Sequence, residues 1–146
     1  MIIDLFELKK AGVEKQSFYF EYFAENTLST LPEVQVEMPI KVNGNVSLTG
    51  KHSAYIECEI SFTLSGECTR CLKQTENTYF ADIAFECDDQ SEMVKVINDK
   101  ISLDKIVEDT VILNMPINFL CSEDCKGICL GCGVNLNDED CKCKNE

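Results

Sequence analysis

The chain has 146 residues, 45% of them apolar and 27% charged. That fits one domain of ordinary size with a small appendage, and it excludes both disorder as the default state and a second full core. Twenty-six acidic residues against thirteen basic ones give a net charge of −13, the wrong sign for a surface that gains affinity for DNA or RNA by counterion release from clustered Lys and Arg.

At the amino terminus Asp4 and Glu7 fall where a secretory signal would need a basic segment and an unbroken apolar run. No stretch approaches the roughly 18 to 20 apolar residues that cross a bilayer. A cytoplasmic protein without a membrane segment is expected. In a reducing cytosol the ten cysteines cannot form a disulfide framework, so they need another explanation.

Phe18, Phe20 and Tyr22 alternate, as do Val34, Val36, Met38, Ile40 and Val42, and this period of two predicts strands. Asn43-Gly44 is the dipeptide best able to take the positive φ angles of a tight hairpin, which predicts a turn there with a return strand through Val46 and Leu48. Pro39 predicts an edge or a bend. Next, Ala54, Ile56, Cys58, Ile60, Phe62 and Leu64 share one face of a half-buried strand, and Tyr79, Ala81, Ile83, Phe85 and Cys87 share one face of another. The middle of the chain thus reads as an antiparallel meander.

The period then changes to that of a helix. Leu103, Ile106, Val107, Thr110 and Val111 form an apolar stripe, Asp104, Lys105, Glu108 and Asp109 form the wet face, Ser102 is the expected N-cap, and Pro116 is the stop. The expected fold is α+β: an antiparallel sheet or partly closed barrel with one amphipathic helix over residues 1–116, followed by a cysteine-rich zinc-knuckle tail over 117–146. That tail has too few large apolar side chains to order itself by burial.

Its cysteines supply the alternative. Cys121, Cys125, Cys129, Cys132, Cys141 and Cys143 are joined by Cys68 and Cys71 at the end of the third apolar strand. Two thiolates separated by a short turn can reach one metal ion, and Gly131 and Gly133 let backbone N–H groups turn toward the sulfurs. Soft thiolate donors favour tetrahedral Zn²⁺ over Mg²⁺ or Ca²⁺. One or two structural zinc ions are expected. Cys129, Cys132, Cys141 and Cys143 could close one knuckle, leaving Cys68, Cys71, Cys121 and Cys125 to pair across space; shared or exchanged ligands stay open. Cys58 and Cys87 lie on apolar faces and read as core, and His52, alone in a polar turn, is given no role.

Catalytic readings of these cysteines lack context. Cys125-x3-Cys129-x2-Cys132 matches an iron–sulfur spacing but lacks the large domain that follows such sites, and Cys68-x2-Cys71 precedes a strand where thioredoxin-like chemistry needs a helix start. Four thiolates also saturate zinc, leaving no open position for substrate. A non-enzymatic role is expected.

The segments ending in Cys68-Thr-Arg-Cys71-Leu72, the helix from Ser102 to Pro116 and the tail from Cys121 through Cys132-Gly-Val-Asn-Leu resemble the bacterial YceD-like family, the large ribosomal RNA subunit accumulation proteins. The resemblance covers most of the chain beyond about Asn43. It implies a role in ribosomal RNA accumulation or large-subunit assembly, without enzymatic activity, and its gene neighbourhood points to a small zinc-ribbon ribosomal protein. A basic ribosomal protein or an assembly intermediate is therefore the expected partner. The alternatives are a zinc-dependent RNA-binding module using Lys9, Lys10 and Lys15, and, less in keeping with the sequence, a redox enzyme.

Overall fold

The computed structural model describes residues 1–25, 28–141 and 143; residues 142 and 144–146 of the expected tail lie outside that range. Two antiparallel sheets form, a four-stranded one of order β2-β3-β4-β5 and a two-stranded ribbon of β1 and β6. The elements run β1 (Ile2–Asp4), α1 (Leu5–Ala11), β2 (Lys15–Tyr22), β3 (Val34–Gly50), β4 (Ser53–Glu67), β5 (Gln74–Cys87), β6 (Lys100–Ser102) and α2 (Asp104–Leu113).

The meander follows from the alternation. Val42, Ile60 and Ala81 stand side by side across β3, β4 and β5, as do Val46, Ile56 and Phe85, so each apolar set lands on one face. Packed on that face are Leu5 and Leu8 of α1, Ile3 and Ile101 of the ribbon, Val107 and Val111 of α2, and Phe119, in one continuous core. The opposite face of the sheet carries the polar positions. Burying roughly 1.5–3 kcal/mol worth of side chain at each such apolar site is what makes a one-residue register slip untenable. The sheet is open, with β2 and β5 as its two edges, so no barrel closes among the described residues.

The expected hairpin turn at Asn43-Gly44 does not form. β3 runs unbroken through both residues, with Gly44 opposite Phe18 on one side and Cys58 on the other. A Cβ on Gly44 would lie 2.2 Å from the Glu57 carbonyl oxygen and 2.4 Å from the Cys58 Cβ. The glycine is there to let two strands approach, the other use of glycine in a strand. The real turn is Lys51-His52, between the paired residues Gly50 and Ser53. At Pro39 the register shifts between Glu37 and Lys41, the bend expected there, although β3 is an interior strand.

A second helix was not expected. Asp4 caps α1 by accepting from the N–H groups of Phe6 and Glu7, and Gly12 closes it in the left-handed conformation at φ 71°. The Asp4-x-x-Glu7 spacing and the glycine five residues on are the signal for it. Ser102 is not the cap of α2: it belongs to β6, opposite Ile2, and Leu103 occupies the cap position without a side-chain bond. The Asp104 carboxylate instead binds the Met1 amine at 2.7 Å. His52 is half exposed and has a partner, Asp99, at 3.1 Å; Asp99 also takes Lys9 at 3.1 Å, tying α1 to the β3–β4 turn.

Candidate metal centres

Eight cysteines converge into two groups of four, Cys68, Cys71, Cys121 and Cys125 in one, Cys129, Cys132, Cys141 and Cys143 in the other, with the sulfurs of each group all within 4.8 Å of one another. Either group could hold a metal ion. In the first, Cys68 and Cys125 sulfurs are 3.7 Å apart and those of Cys71 and Cys121 3.5 Å. In the second, Cys129 lies 3.2 Å from Cys141 and 3.7 Å from Cys143, and Cys132 lies 3.9 Å from Cys141. A disulfide needs about 2.05 Å, whereas a tetrahedron of four sulfurs at about 2.3 Å from a central ion has edges of about 3.8 Å. The spacing therefore fits a four-thiolate metal centre and not paired disulfides.

Two turns of one design carry the Cys-x-x-Cys pairs. After Cys68 and Cys71, the Leu72 N–H returns to the Cys68 carbonyl and the Cys68 N–H donates to Lys73; after Cys129 and Cys132, the Gly133 N–H returns to the Cys129 carbonyl and the Cys129 N–H donates to Val134. Both turns need a left-handed residue after the second cysteine, and it is Leu72 at φ 62° in one and Gly133 at φ 77° in the other. At Gly131 a Cβ would sit 2.6 Å from the Cys143 sulfur, so only glycine leaves room for that ligand.

The first group is interior. Cys68, Cys71 and Cys125 are buried, the Thr69 N–H donates to the Phe119 carbonyl, and the Arg70 guanidinium donates to the Cys125 carbonyl at 3.0 Å. The β4–β5 connection is thereby stapled to the segment that follows α2. The second group stands at the surface, with Cys132 exposed. Its loop nevertheless reaches back: Asn137, between Cys132 and Cys141 in the chain, donates through its amide to the Cys125 sulfur at 3.3 Å and accepts from the Lys126 N–H.

Electrostatics at the sulfurs prepare them for a cation. Burial pushes the Cys68 thiol up, but backbone N–H groups of Cys71, Cys121 and Arg70 aimed at its sulfur outweigh that and bring it down to about 6. The Asn137 amide lowers Cys125, and the Cys132 backbone N–H, then Cys141, lower Cys129. Contact with Cys71, then burial, pushes Cys121 up to about 12, and contact with Cys132, then Cys129, does the same to Cys143. Crowded thiols cannot all ionise without a counter-charge, and a dication supplies it. Cys58 and Cys87 stand apart; burial, then Asp82 for the former and Asp88 for the latter, pushes each up to about 11.

All eight cysteines singled out from spacing are thus brought together. Asn137 and Arg70 were not singled out. The Asn135-Leu136-Asn137 run, with its capacity for side-chain-to-backbone turns, was the available signal for the first; nothing in the sequence marks the second.

The sequence profile of the family described as Large ribosomal RNA subunit accumulation protein YceD matches residues 56–146, from near the start of β4 through both centres, and the chain belongs to that family. Among curated proteins, an uncharacterized protein of Mycobacterium tuberculosis is 34% identical over 84 residues, covering 51% of this chain and 41% of its own length. The chloroplastic large ribosomal RNA subunit accumulation protein YCED homolog 1 of Arabidopsis thaliana is 43% identical over 47 residues, 32% of this chain and 15% of that protein. Its Zea mays counterpart is 39% identical over 46 residues, 31% of this chain and 16% of that protein. The chain thus spans less than half the length of these relatives. No solved structure matches it. The family is linked by name to accumulation of the large ribosomal RNA subunit, and no described helix is long and apolar enough to cross a membrane.

Proposed function

We propose that this protein is a non-enzymatic, zinc-binding factor in large ribosomal subunit assembly that works in the cytoplasm by binding a basic ribosomal protein, or an assembly intermediate through such a protein. Each four-cysteine group would hold one structural Zn²⁺. The donor set is all-thiolate, the sulfur spacing matches a zinc tetrahedron, and four ligands leave no position for substrate.

The observation that carries the choice of partner is the state of the basic residues. Of the three lysines able to form an RNA patch, Lys9 is engaged by Asp99 at 3.1 Å and Lys15 faces Glu57 at 3.6 Å. The outer face of the sheet is acidic, with Glu59 beside Asp82 and Glu57 one row away. Two centres, each of four thiolates and one Zn²⁺ and so carrying two net negative charges, would take the total from −13 to about −17. Such a surface speeds encounter with basic proteins and selects them, and salt weakens the contact, which permits release onto RNA.

The test is a titration of the zinc-loaded protein with basic large-subunit ribosomal proteins, a small zinc-ribbon protein first, and with ribosomal RNA fragments across a salt series. Protein binding that falls steeply with salt and is competed by RNA is the expected result. Tight RNA binding at physiological salt with indifference to basic proteins would establish the RNA-binding alternative.

A further inference from the structure

We infer that the free edge of β5 is a docking site for an extended protein segment in which Lys or Arg alternates with aliphatic residues, added to the sheet as a fifth strand. This deepens the reading of a basic protein partner and rests on it.

β5 spans fourteen residues and, among the described residues, pairs only with β4, without a register irregularity. A long regular edge is a template for another chain, and proteins blunt such an edge with charged side chains, Lys above all, with Pro or with a bulge; the charges on β5 are all acidic, which turns away acidic strands but not basic ones. Between Gln74 and Cys87 there is no Lys, Arg or Pro. The two faces flanking the edge differ in chemistry. On the outer face Glu76, Asp82 and Glu86 are exposed and Phe80 is 65% exposed. Beside the strand opens a cavity of about 490 Å³ whose apolar wall is Ile83, Phe85, Met93, Ile106 and Leu113, with Asp82, Asp109, Thr110 and Asn114 also lining it.

An added strand presents alternate side chains to the two faces. Those on the outer side would meet the carboxylates of β5, and those on the inner side would reach the apolar wall of the cavity. Charge selects among occupants. A second copy paired antiparallel edge to edge would crowd the carboxylates of both strands onto one face, with Glu76 opposite Glu86 or Asp82 opposite Asp82 depending on register, which like-charge repulsion across strands disfavours. A strand bearing Lys or Arg on that side and aliphatic residues on the other satisfies both faces at once.

The probe is a synthetic peptide of about eight residues alternating Lys and Val, a usual strand length. It is compared with its isomer carrying all Lys before all Val, and with two N-methylated versions, one methylated on the valines and one on the lysines. Binding to the full chain is measured by fluorescence anisotropy, and backbone amides are followed by hydrogen exchange. The alternating peptide should bind at least about tenfold more tightly than the block isomer, slow exchange along β5, and lose binding in one N-methylated version but not the other. Glu76→Lys with Asp82→Lys should abolish binding, with the circular dichroism of the parent retained. Equal binding of the two isomers, protection away from β5, or self-association through β5 without peptide would overturn the inference. If a basic ribosomal protein still binds the Glu76→Lys, Asp82→Lys chain as tightly as the parent, the edge assignment fails while the partner reading stands. If neither peptide nor any basic ribosomal protein binds the parent, the partner reading itself fails.

Discussion

The amide of Asn137 donates to the sulfur of Cys125 across 3.3 Å, although Asn137 lies in the loop between two cysteines of the other centre. Groups that hydrogen-bond a ligand atom commonly hold about 10–100-fold in metal affinity. Asn137→Ala should therefore weaken metal at the Cys68 centre by about tenfold. Asn137→Asp should weaken it further, because it keeps an acceptor for the Lys126 N–H but turns a carboxylate toward the thiolate. Competition against a chromophoric chelator measures both, and an unchanged affinity in Asn137→Ala would remove the link between the centres.

The two Cys-x-x-Cys turns differ at the one residue that must be left-handed, and this sets up a paired test. Around Gly133 a Cβ meets nothing within 4 Å, so Gly133→Ala should cost only the backbone strain, about 1 kcal/mol. Leu72→Gly should relieve the same strain in the other turn while losing a side chain already 58% exposed. Its metal affinity should equal or exceed that of the parent. Gly131→Ala is different, since its new methyl group collides with the Cys143 sulfur; it should strip metal from the surface centre and leave the interior one filled.

Gly44→Ala should be far more damaging than either turn variant. The methyl group would overlap the backbone of β4 on the buried face, with no flexible side-chain end to move aside. A loss on the order of 3 kcal/mol or more is expected, read as a lower denaturation midpoint with the metal content unchanged in the folded fraction.

Thiol labelling separates the core cysteines from the candidate ligands. After chelation at pH 8, alkylation should modify Cys129, which is only half-buried and whose thiol is lowered, well before Cys58 and Cys87, which lie in the core with thiols pushed up to about 11 by burial. Because the folded state keeps those protons, the stability linked to them is fully present below their ordinary value of 9.0 and is lost as pH rises toward about 11. Peptide mapping by mass spectrometry, with an unfolding series from pH 8 to 11, checks both statements.

Much of the sheet was readable because its signal is local: each of β4 and β5 alternates over its whole length, and one buried face dictates the register. The cysteine groups were readable because few chemistries explain eight thiols in turns. Gly44 was misread because a glycine that permits a turn and a glycine that permits close strands look alike in one sequence; only the partner strand distinguishes them. The ribbon escaped notice since Ile2–Asp4 and Lys100–Ser102 are each too short to show a period. Ser102 was a sound cap on local chemistry, but its pairing with Ile2 took it into a strand. Asn137 and Arg70 act on atoms far along the chain, which spacing cannot reveal.

The pairing of Ile2 with Ser102 also orders events in time. At about 5–20 residues per second, the first strand leaves the ribosome on the order of 5 to 20 s before its partner does, whereas β3 and β4 can close on each other at once through their two-residue turn. The meander can thus assemble while the polypeptide is still being made, with its inner face uncovered until the ribbon and α2 arrive. The thiols of Cys68 and Cys71 wait longer still, because Cys121 and Cys125 are synthesised after α2. A filled interior centre would then mark a chain synthesised past Cys125: a nascent or truncated chain that stops short of it cannot offer an ion all four sulfurs.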